Sequence, residues 1–299
     1  MERHTPVLLG ATLEVLKPQR GETFIDLTAG FGGHAAALLG VVGETGHGYL
    51  FDQDPEAIAA LRERFAHRAN VTITRTNFSN PFWTEDLPEV DMVLMDIGVS
   101  SVQLDETERG FSFLRDGPLD MRMDQTSGET AAELLARLPE AELADLLYLN
   151  GEERQSRRIA RAIVDTRKVS TIATTLQLAK IVELAIGRHG KINPATKTFQ
   201  ALRIAVNDEL GALGTALPVA ANQLKLGGRL AVITFHSLED RIVKQYFKSI
   251  TTSEKDEMGQ DVSISKFRKV TKKPIKGLDE YDTNPRARSA KLRAVENTK

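Results

Sequence analysis

Between Thr23 and Met95 the hydrophobic period of the chain switches repeatedly between two values, and this restricts the fold more than any other feature. Thr23-Phe24-Ile25-Asp26-Leu27 is a short apolar run that closes at Gly30, as a buried strand does. From His34 to Val42 the apolar residues follow a helical spacing. Gly48-Tyr49-Leu50-Phe51 is a second strand, ending at Asp52. Asp54-Pro55 then supplies a helix N-cap and an N1 proline, continued by Ile58, Leu61 and Phe65. Val71 to Thr74 and Val90 to Met95 are a third and a fourth strand. Strands that alternate with helices run parallel, with helices on both faces of the sheet. The expected fold class is α/β.

The pattern changes after Asp96. From Thr130 to about Leu217 the periodicity is helical and no strand stands out. Thr174 is placed to cap a helix carrying Leu178, Ile181, Val182 and Leu184 and closed by Gly187. Pro194 is expected to open another, with Phe199, Leu202, Val206 and Leu210. Strand character returns from Arg229 to Phe235. Lys266 to Val270 and Ala290 to Val295 are expected to pair as an antiparallel hairpin, and the polar stretch 251–263 to form a mobile loop. This predicts an α/β domain, residues 1–104 and 215–299, interrupted between its fourth and fifth strands by an all-helical domain, residues 105–214.

Composition excludes several classes. The longest apolar run, Ala35 to Gly43, has nine residues, and a membrane-spanning helix needs about 20. The sequence opens without the basic start and apolar core of a secretory signal. It has no cysteine, hence no disulfide, thiolate chemistry or zinc-thiolate site. The histidines show no ligand spacing, so no metal is expected. These features fit the cytoplasm. The net charge of −2 conceals a segregation: Arg154 to Arg203 carries +9, Lys266 to Lys299 carries +7, and the remainder −18. Such a distribution suits an anionic partner that meets part of the surface, although solvated faces explain charge runs equally well.

Asp26-Leu27-Thr28-Ala29-Gly30-Phe31-Gly32-Gly33-His34 forms a strand-to-helix turn. Glycines there let a ligand approach the backbone, and the helix start offers N–H donors. Gly30, Gly32 and Ala35 match the dinucleotide pattern G-x-G-x-x-A, which alone is weak. Asp52 is placed to accept hydrogen bonds from ribose hydroxyls, of NAD or of S-adenosylmethionine alike. Asp26, four residues before the first glycine, favours the second ligand. A carboxylate there repels pyrophosphate and tolerates a cationic sulfonium. Phe78, just past the third strand, could lie against adenine or simply pack in the core.

Asp96-Ile97-Gly98-Val99-Ser100-Ser101 follows the fourth strand, where open α/β sheets bind ligands. In amino-methyltransferases an Asp, Asn or Ser at this point, with the next carbonyl, accepts the two hydrogens of an exocyclic amine. Asp96 and the carbonyl of Ile97 suit these parts. The prolines and aromatic usual there are missing, so base stacking falls to Phe111, Phe113 or Phe235. Arg154, Arg157, Arg158 and Arg161 fall at i, i+3, i+4 and i+7 and are expected to share one helix face that meets phosphates. Arg286, Arg288, Lys291 and Arg293 form a second basic group, which an edge strand explains as readily. After the fifth strand, Ser237 with Asp240 has the spacing of a capping box.

Taken together, several segments resemble one family. They are His4-Thr5-Pro6-Val7-Leu8-Leu9, the turn through Gly32-Gly33-His34, Asp96 to Leu104, Glu108-Arg109-Gly110-Phe111-Ser112-Phe113, Asp116 to Asp124, Pro194 to Ile204, Phe235 to Arg241, and Asn284 to Arg293. The chain is similar over nearly its whole length to the MraW (RsmH) family, bacterial methyltransferases of small-subunit ribosomal RNA. The resemblance implies methylation of cytidine N4 in the decoding region of 16S ribosomal RNA, within the small ribosomal subunit, with S-adenosylmethionine as cofactor. It implies cofactor contacts at Gly32, Gly33, His34, Asp52, Phe78, Asp96 and Gln103. It also implies a Rossmann-like class I methyltransferase core whose inserted helical domain helps recognise substrate. Asn193 departs from it, since many relatives carry His there. A homodimer is left open. A nicotinamide-dependent oxidoreductase, suggested by the glycines, and a non-catalytic RNA-binding factor are the rival classes. The presence of Asp26, Asp52 and Asp96 argues against the latter.

Overall fold

The computed structural model describes residues 6–85, 87–188, 193–255, 261–263, 265–282 and 284–299. α1 (Leu9–Leu16) precedes β1 (Thr23–Asp26), α2 (Gly33–Val42), β2 (His47–Asp52), α3 (Pro55–Arg64), β3 (Val71–Arg75) and β4 (Val90–Asp96). α3 starts where its sequence directs: Pro55 opens it, and Asp54 Oδ1 accepts the Glu56 N–H at 3.0 Å. Then come α4 (Ser101–Asp105), α5 (Ala131–Arg137), α6 (Glu140–Gly151), α7 (Ser156–Arg167), α8 (Thr175–Ile186), α9 (Thr196–Asn207) and α10 (Glu209–Asn222). β5 (Leu224–Thr234), α11 (Ser237–Ile250), β6 (Glu254–Lys255), β7 (Asp261–Ser263), β8 (Phe267–Lys269), β9 (Ile275–Lys276) and β10 (Lys291–Asn297) follow. Two compact units result, Met1–Gly98 with Leu210–Lys299, and Val99–Glu209.

The main sheet runs β3-β2-β1-β4-β5-β10-β8, with β9 beside β10. β1 to β5 are mutually parallel, whereas β10 is antiparallel to β5, β8 and β9. The α/β class is thus observed, with the expected pairing between β8 and β10. Alternate residues of each strand serve opposite faces. Phe24, Met92 and Leu94 pack with Leu38, Leu39 and Leu61 of α2 and α3. Ile25, Val93 and Met95 pack on the other side with Leu213, Leu217, Val243 and Phe247 of α10 and α11. The helical unit has a separate core of Leu119, Leu143, Leu147, Ile159, Ile163, Leu178 and Val182 among others. Among the described residues no helix is long and apolar enough to cross a membrane.

Three local expectations need correction. Pro194 precedes α9 rather than opening it: the Asn193 side-chain oxygen accepts the Ala195 N–H at 2.9 Å, and the helix starts at Thr196. The same helix does not reach Leu210, because Asp208 adopts left-handed φ of 46° and separates α9 from α10. The polar stretch 251–263 contains the antiparallel pair of β6 and β7, and residues 256–260 lie outside those described.

Candidate active site

β1, β2 and β4 each end in an aspartate, Asp26, Asp52 and Asp96. Strand order reverses between β1 and β4, and the carboxyl ends of strands at such a reversal are where open sheets bind ligands. The turn from β1 to α2 is shaped by Gly30 and Gly32, at φ of 52° and 78°. A Cβ on Gly32 would come within 2.8 Å of the Phe65 ring, so both conformation and space require glycine there. Among the described residues no side chain caps the start of α2. Asp52 braces the turn: its Oδ2 accepts the Gly30 N–H at 2.8 Å and its Oδ1 the Asp54 N–H at 2.9 Å. A carboxylate offers about four lone-pair positions, so capacity for ligand hydroxyls remains.

Asp26 is buried, and its Oδ1 accepts the Thr28 N–H at 3.1 Å. The Thr28 hydroxyl in turn accepts the Asp96 N–H at 2.6 Å, tying the end of β4 to the glycine turn. His34, in the first turn of α2, is buried with Nε2 3.5 Å from Asp96 Oδ2. At that distance no well-directed hydrogen bond forms. Both ring nitrogens of His34 and Oδ1 of Asp96 lack hydrogen-bond partners among the described residues. Buried polar atoms are nearly always satisfied, so unsatisfied ones gathered beside a glycine turn make this end of the sheet the candidate ligand site.

The electrostatics agree. Burial pushes the Asp26 carboxyl up to about 7, against the opposing pull of the His34 charge and the Thr28 N–H. Asp52 is half-buried as a residue, but its carboxyl is surrounded by protein, which pushes it up to about 6 despite the N–H groups of Asp54 and Gly30. For His34, burial is the largest influence and opposes protonation, but the opposing pulls, chief among them that of Asp96, raise the imidazole above its ordinary value. Burial makes ionisation of both carboxyls costly beside an open turn, and a ligand that brings positive charge offsets that cost.

Other expected site residues stand as follows. Phe78 is half-buried past β3, against the core beneath the sheet, and its carbonyl accepts the Trp83 indole N–H at 3.1 Å. Gln103 belongs to the helical unit, where its Oε1 accepts the Ser100 N–H at 2.9 Å in a capping box that starts α4. Phe111 and Phe113 belong to the helical core, the latter edge-on to Phe199 with centroids 4.9 Å apart. Phe235 is half-buried just beyond β5.

The arginine group is smaller than its spacing predicts. Arg154 lies before α7, in a turn, so of these four arginines the helix carries Arg157, Arg158 and Arg161. These are exposed, opposite buried Ile159 and Ile163. Arg161 Nε meets Glu140 at 3.3 Å, while Arg154, Arg157 and Arg158 have no ion-pair partner among the described residues. The Ser237–Asp240 capping box is not formed. His236 caps α11 and Glu239 Oε2 accepts the Phe235 and His236 N–H groups at 2.7 and 3.2 Å. Asp240 instead binds Lys291 Nζ at 3.0 Å and Arg293 Nε at 2.7 Å, which removes those two cations from the second basic group. Thr28 was not singled out by the sequence. Its signal is a hydroxyl between the strand-ending acid and the first glycine.

A family model, the MraW methylase family, matches residues 1–298. The chain is 48% identical to "Ribosomal RNA small subunit methyltransferase H" of Acidobacterium capsulatum, covering 99% of this chain and 98% of that protein. It is 47% identical to the protein of the same name from Heliobacterium modesticaldum, covering 98% of each. The protein of that name from Stenotrophomonas maltophilia is 46% identical, over 98% of this chain and 92% of the relative. With a family model spanning almost every residue and relatives near half identity end to end, the chain belongs to the MraW methylase family.

Proposed function

We propose that this protein transfers a methyl group from S-adenosylmethionine to the exocyclic N4 of a cytidine in the decoding region of 16S ribosomal RNA. The observation that carries the reading is the unsatisfied Oδ1 of Asp96 at the end of β4, beside the glycine turn. Family membership and the shared name of the relatives support ribosomal RNA of the small subunit as the substrate. The raised carboxyls of Asp26 and Asp52 fit a cationic cofactor with ribose hydroxyls. The reaction belongs in the cytoplasm, on the small ribosomal subunit or its precursors.

Bound S-adenosylmethionine supplies the methyl group on a sulfonium, which is already an excellent donor. What remains for the protein is alignment, because the lone pair of cytosine N4 is delocalised into its ring. Asp96 Oδ1 and the Ile97 carbonyl accept the two amine hydrogens and fix the direction of that lone pair. Gly32, Gly33 and His34 line the cofactor side with Asp26 and Asp52. Positioning of this kind supplies roughly 7–11 kcal/mol of the barrier. Asp96 then takes the proton that N4 sheds, with His34 Nε2 beside its other oxygen. Mass spectrometry of 16S nucleosides, with and without the protein, tests the reading. N4-methylated cytidine is expected only with it, and a methyl group on another atom or base would overturn the assignment.

Two further results are expected. Because the ligand's positive charge favours ionised carboxylates, binding makes Asp26 release a proton wherever the free protein holds it protonated. Affinity for S-adenosylmethionine then rises with pH toward the Asp26 value of about 7 and levels off above it. Between about pH 7.5 and about pH 6 binding weakens about tenfold. Calorimetry in buffers of different ionisation enthalpy detects the proton, and Asp26→Asn removes the part of the pH dependence centred near 7, leaving the weaker fall toward pH 6 that Asp52 contributes; a flat wild-type profile would refute it.

On the RNA side, the arginines before and along α7 hold phosphates in this reading. Arg157→Gln with Arg158→Gln reduces the log–log salt slope of RNA binding by roughly 0.7–0.9 for each phosphate that is no longer neutralised. Cofactor affinity stays unchanged. A slope equal to wild type would make these arginines ordinary solvated charges.

A further inference from the structure

A cavity of about 310 Å³ opens at the carboxyl end of β5. Its walls include Phe235 and Ser237 from the turn into α11, Lys276 of β9, and Arg288, Ser289 and Lys291 where the chain enters β10. All of them belong to the sheet unit. Three cations, Lys276, Arg288 and Lys291, border the cavity. Lys291 is largely neutralised by Asp240, which it shares with Arg293. Lys276 and Arg288 are exposed, and neither has a carboxylate partner among the described residues. The Arg288 guanidinium is held 6.0 Å from the Tyr281 ring centroid, which restrains it without cancelling its charge. Two uncompensated cations, two hydroxyl-bearing serines and a half-buried aromatic wall make a site for a ligand that is anionic at one end and flat at the other.

The position of the cavity narrows the choice. Asp96 pairs in register with Ile233, and the Ile97 N–H donates to the Ile233 carbonyl at 2.9 Å. Phe235 follows two residues after Ile233, just past the end of β5, so it lies at the same end of the sheet as Asp96. Gly98, just past β4, also faces its ring: a Cβ there would sit 3.4 Å from Phe235 Cδ2. A ligand in the cavity therefore sits next to whatever Asp96 holds. The volume suits one nucleotide, near the lower end of small-molecule sites at about 300–1,000 Å³.

We propose that this cavity holds the RNA nucleotide adjoining the methylated one, with its phosphate between Lys276 and Arg288 and its base against Phe235. Recognition of unpaired RNA commonly combines such stacking with cationic phosphate contacts. The inference rests on RNA being the substrate, and it separates Lys276 and Arg288 from Lys291 and Arg293, whose role is structural.

The test uses the whole protein carrying Lys276→Gln and Arg288→Gln, both exposed and without a carboxylate partner among the described residues, so the fold is retained. The KM for small-subunit RNA is expected to rise about tenfold with kcat and S-adenosylmethionine affinity unchanged, the scale of one charge-assisted contact. The salt slope of RNA binding falls by roughly 0.7–0.9 for the one phosphate released. Phe235→Leu raises KM without changing that slope. The pair Lys272→Gln and Lys273→Gln, exposed elsewhere in the same unit, changes neither. Wild-type KM and slope in the Lys276, Arg288 variant would overturn the proposal while leaving RNA methylation intact. Loss of cytidine 5′-monophosphate binding with RNA binding unaffected would also overturn it, assigning the cavity to a free nucleotide. If wild-type protein methylates no RNA, the proposed function falls, and the salt slope still decides whether RNA occupies the cavity.

Discussion

Replacing Asp96 by Ala is expected to lower the single-turnover rate of methyl transfer by about 10²–10⁴-fold, measured on small-subunit particles at saturating cofactor. The fold survives the change, because the contact tying the end of β4 to the glycine turn is made by the Asp96 backbone N–H with Thr28, not by the carboxylate. Asp96→Asn separates orientation from proton acceptance. Oδ1 is the unsatisfied oxygen and Oδ2 the one beside His34. An amide can keep its oxygen at the first position and turn its NH₂ toward the imidazole. Since a sulfonium needs little activation, orientation dominates, and Asn retains at least about tenfold more activity than Ala. Equal losses in the two variants would make proton acceptance the larger effect. Wild-type rates in Asp96→Ala would move the chemistry away from β4 altogether.

Asp52→Ala is expected to weaken S-adenosylmethionine binding by about 10- to 100-fold, the worth of charge-assisted bonds to ribose hydroxyls. The structure adds a second route to the same loss. Asp52 also accepts the Gly30 and Asp54 N–H groups, so its removal loosens the turn that shapes the pocket. Asp52→Asn distinguishes the routes, since one side-chain oxygen can still brace Gly30 while the charge is gone. Calorimetry on folded Asp52→Ala that returns wild-type affinity would exclude both.

The first four strands were legible because each is local: a short apolar run, a turn, and a helix with its own cap at Asp54. The carboxylates were legible for the same reason, each being the last residue of its strand. Proximity between distant segments was not. His34 comes within reach of Asp96 only because β1 pairs with β4, a register no local pattern encodes. His-Ser-Leu-Glu-Asp holds two overlapping capping patterns one residue apart. The choice of His236 with Glu239 goes with the capture of Asp240 by Lys291 and Arg293 far along the chain. The arginine spacing is helical throughout, but the helix starts at Ser156, too late to include Arg154. Phe111 and Phe113 illustrate the remaining difficulty: aromatic content shows which residues can stack, while burial decides that these two pack inside the helical unit.

The pairing of β4 with β5 joins strands separated by more than a hundred residues of chain. Loop-closure entropy grows only slowly with length, and the intervening unit has a hydrophobic core of its own. The neighbouring pairs β1–β2, β2–β3 and β1–β4 join segments far closer in sequence. The glycine turn with Asp52 and Asp96 is therefore encoded by one continuous stretch of chain, whereas the wall bearing Phe235 depends on a strand from beyond the insertion. In the proposed reading, the methyl donor's side of the site is thus written before the insertion in the sequence, and the RNA nucleotide's side after it.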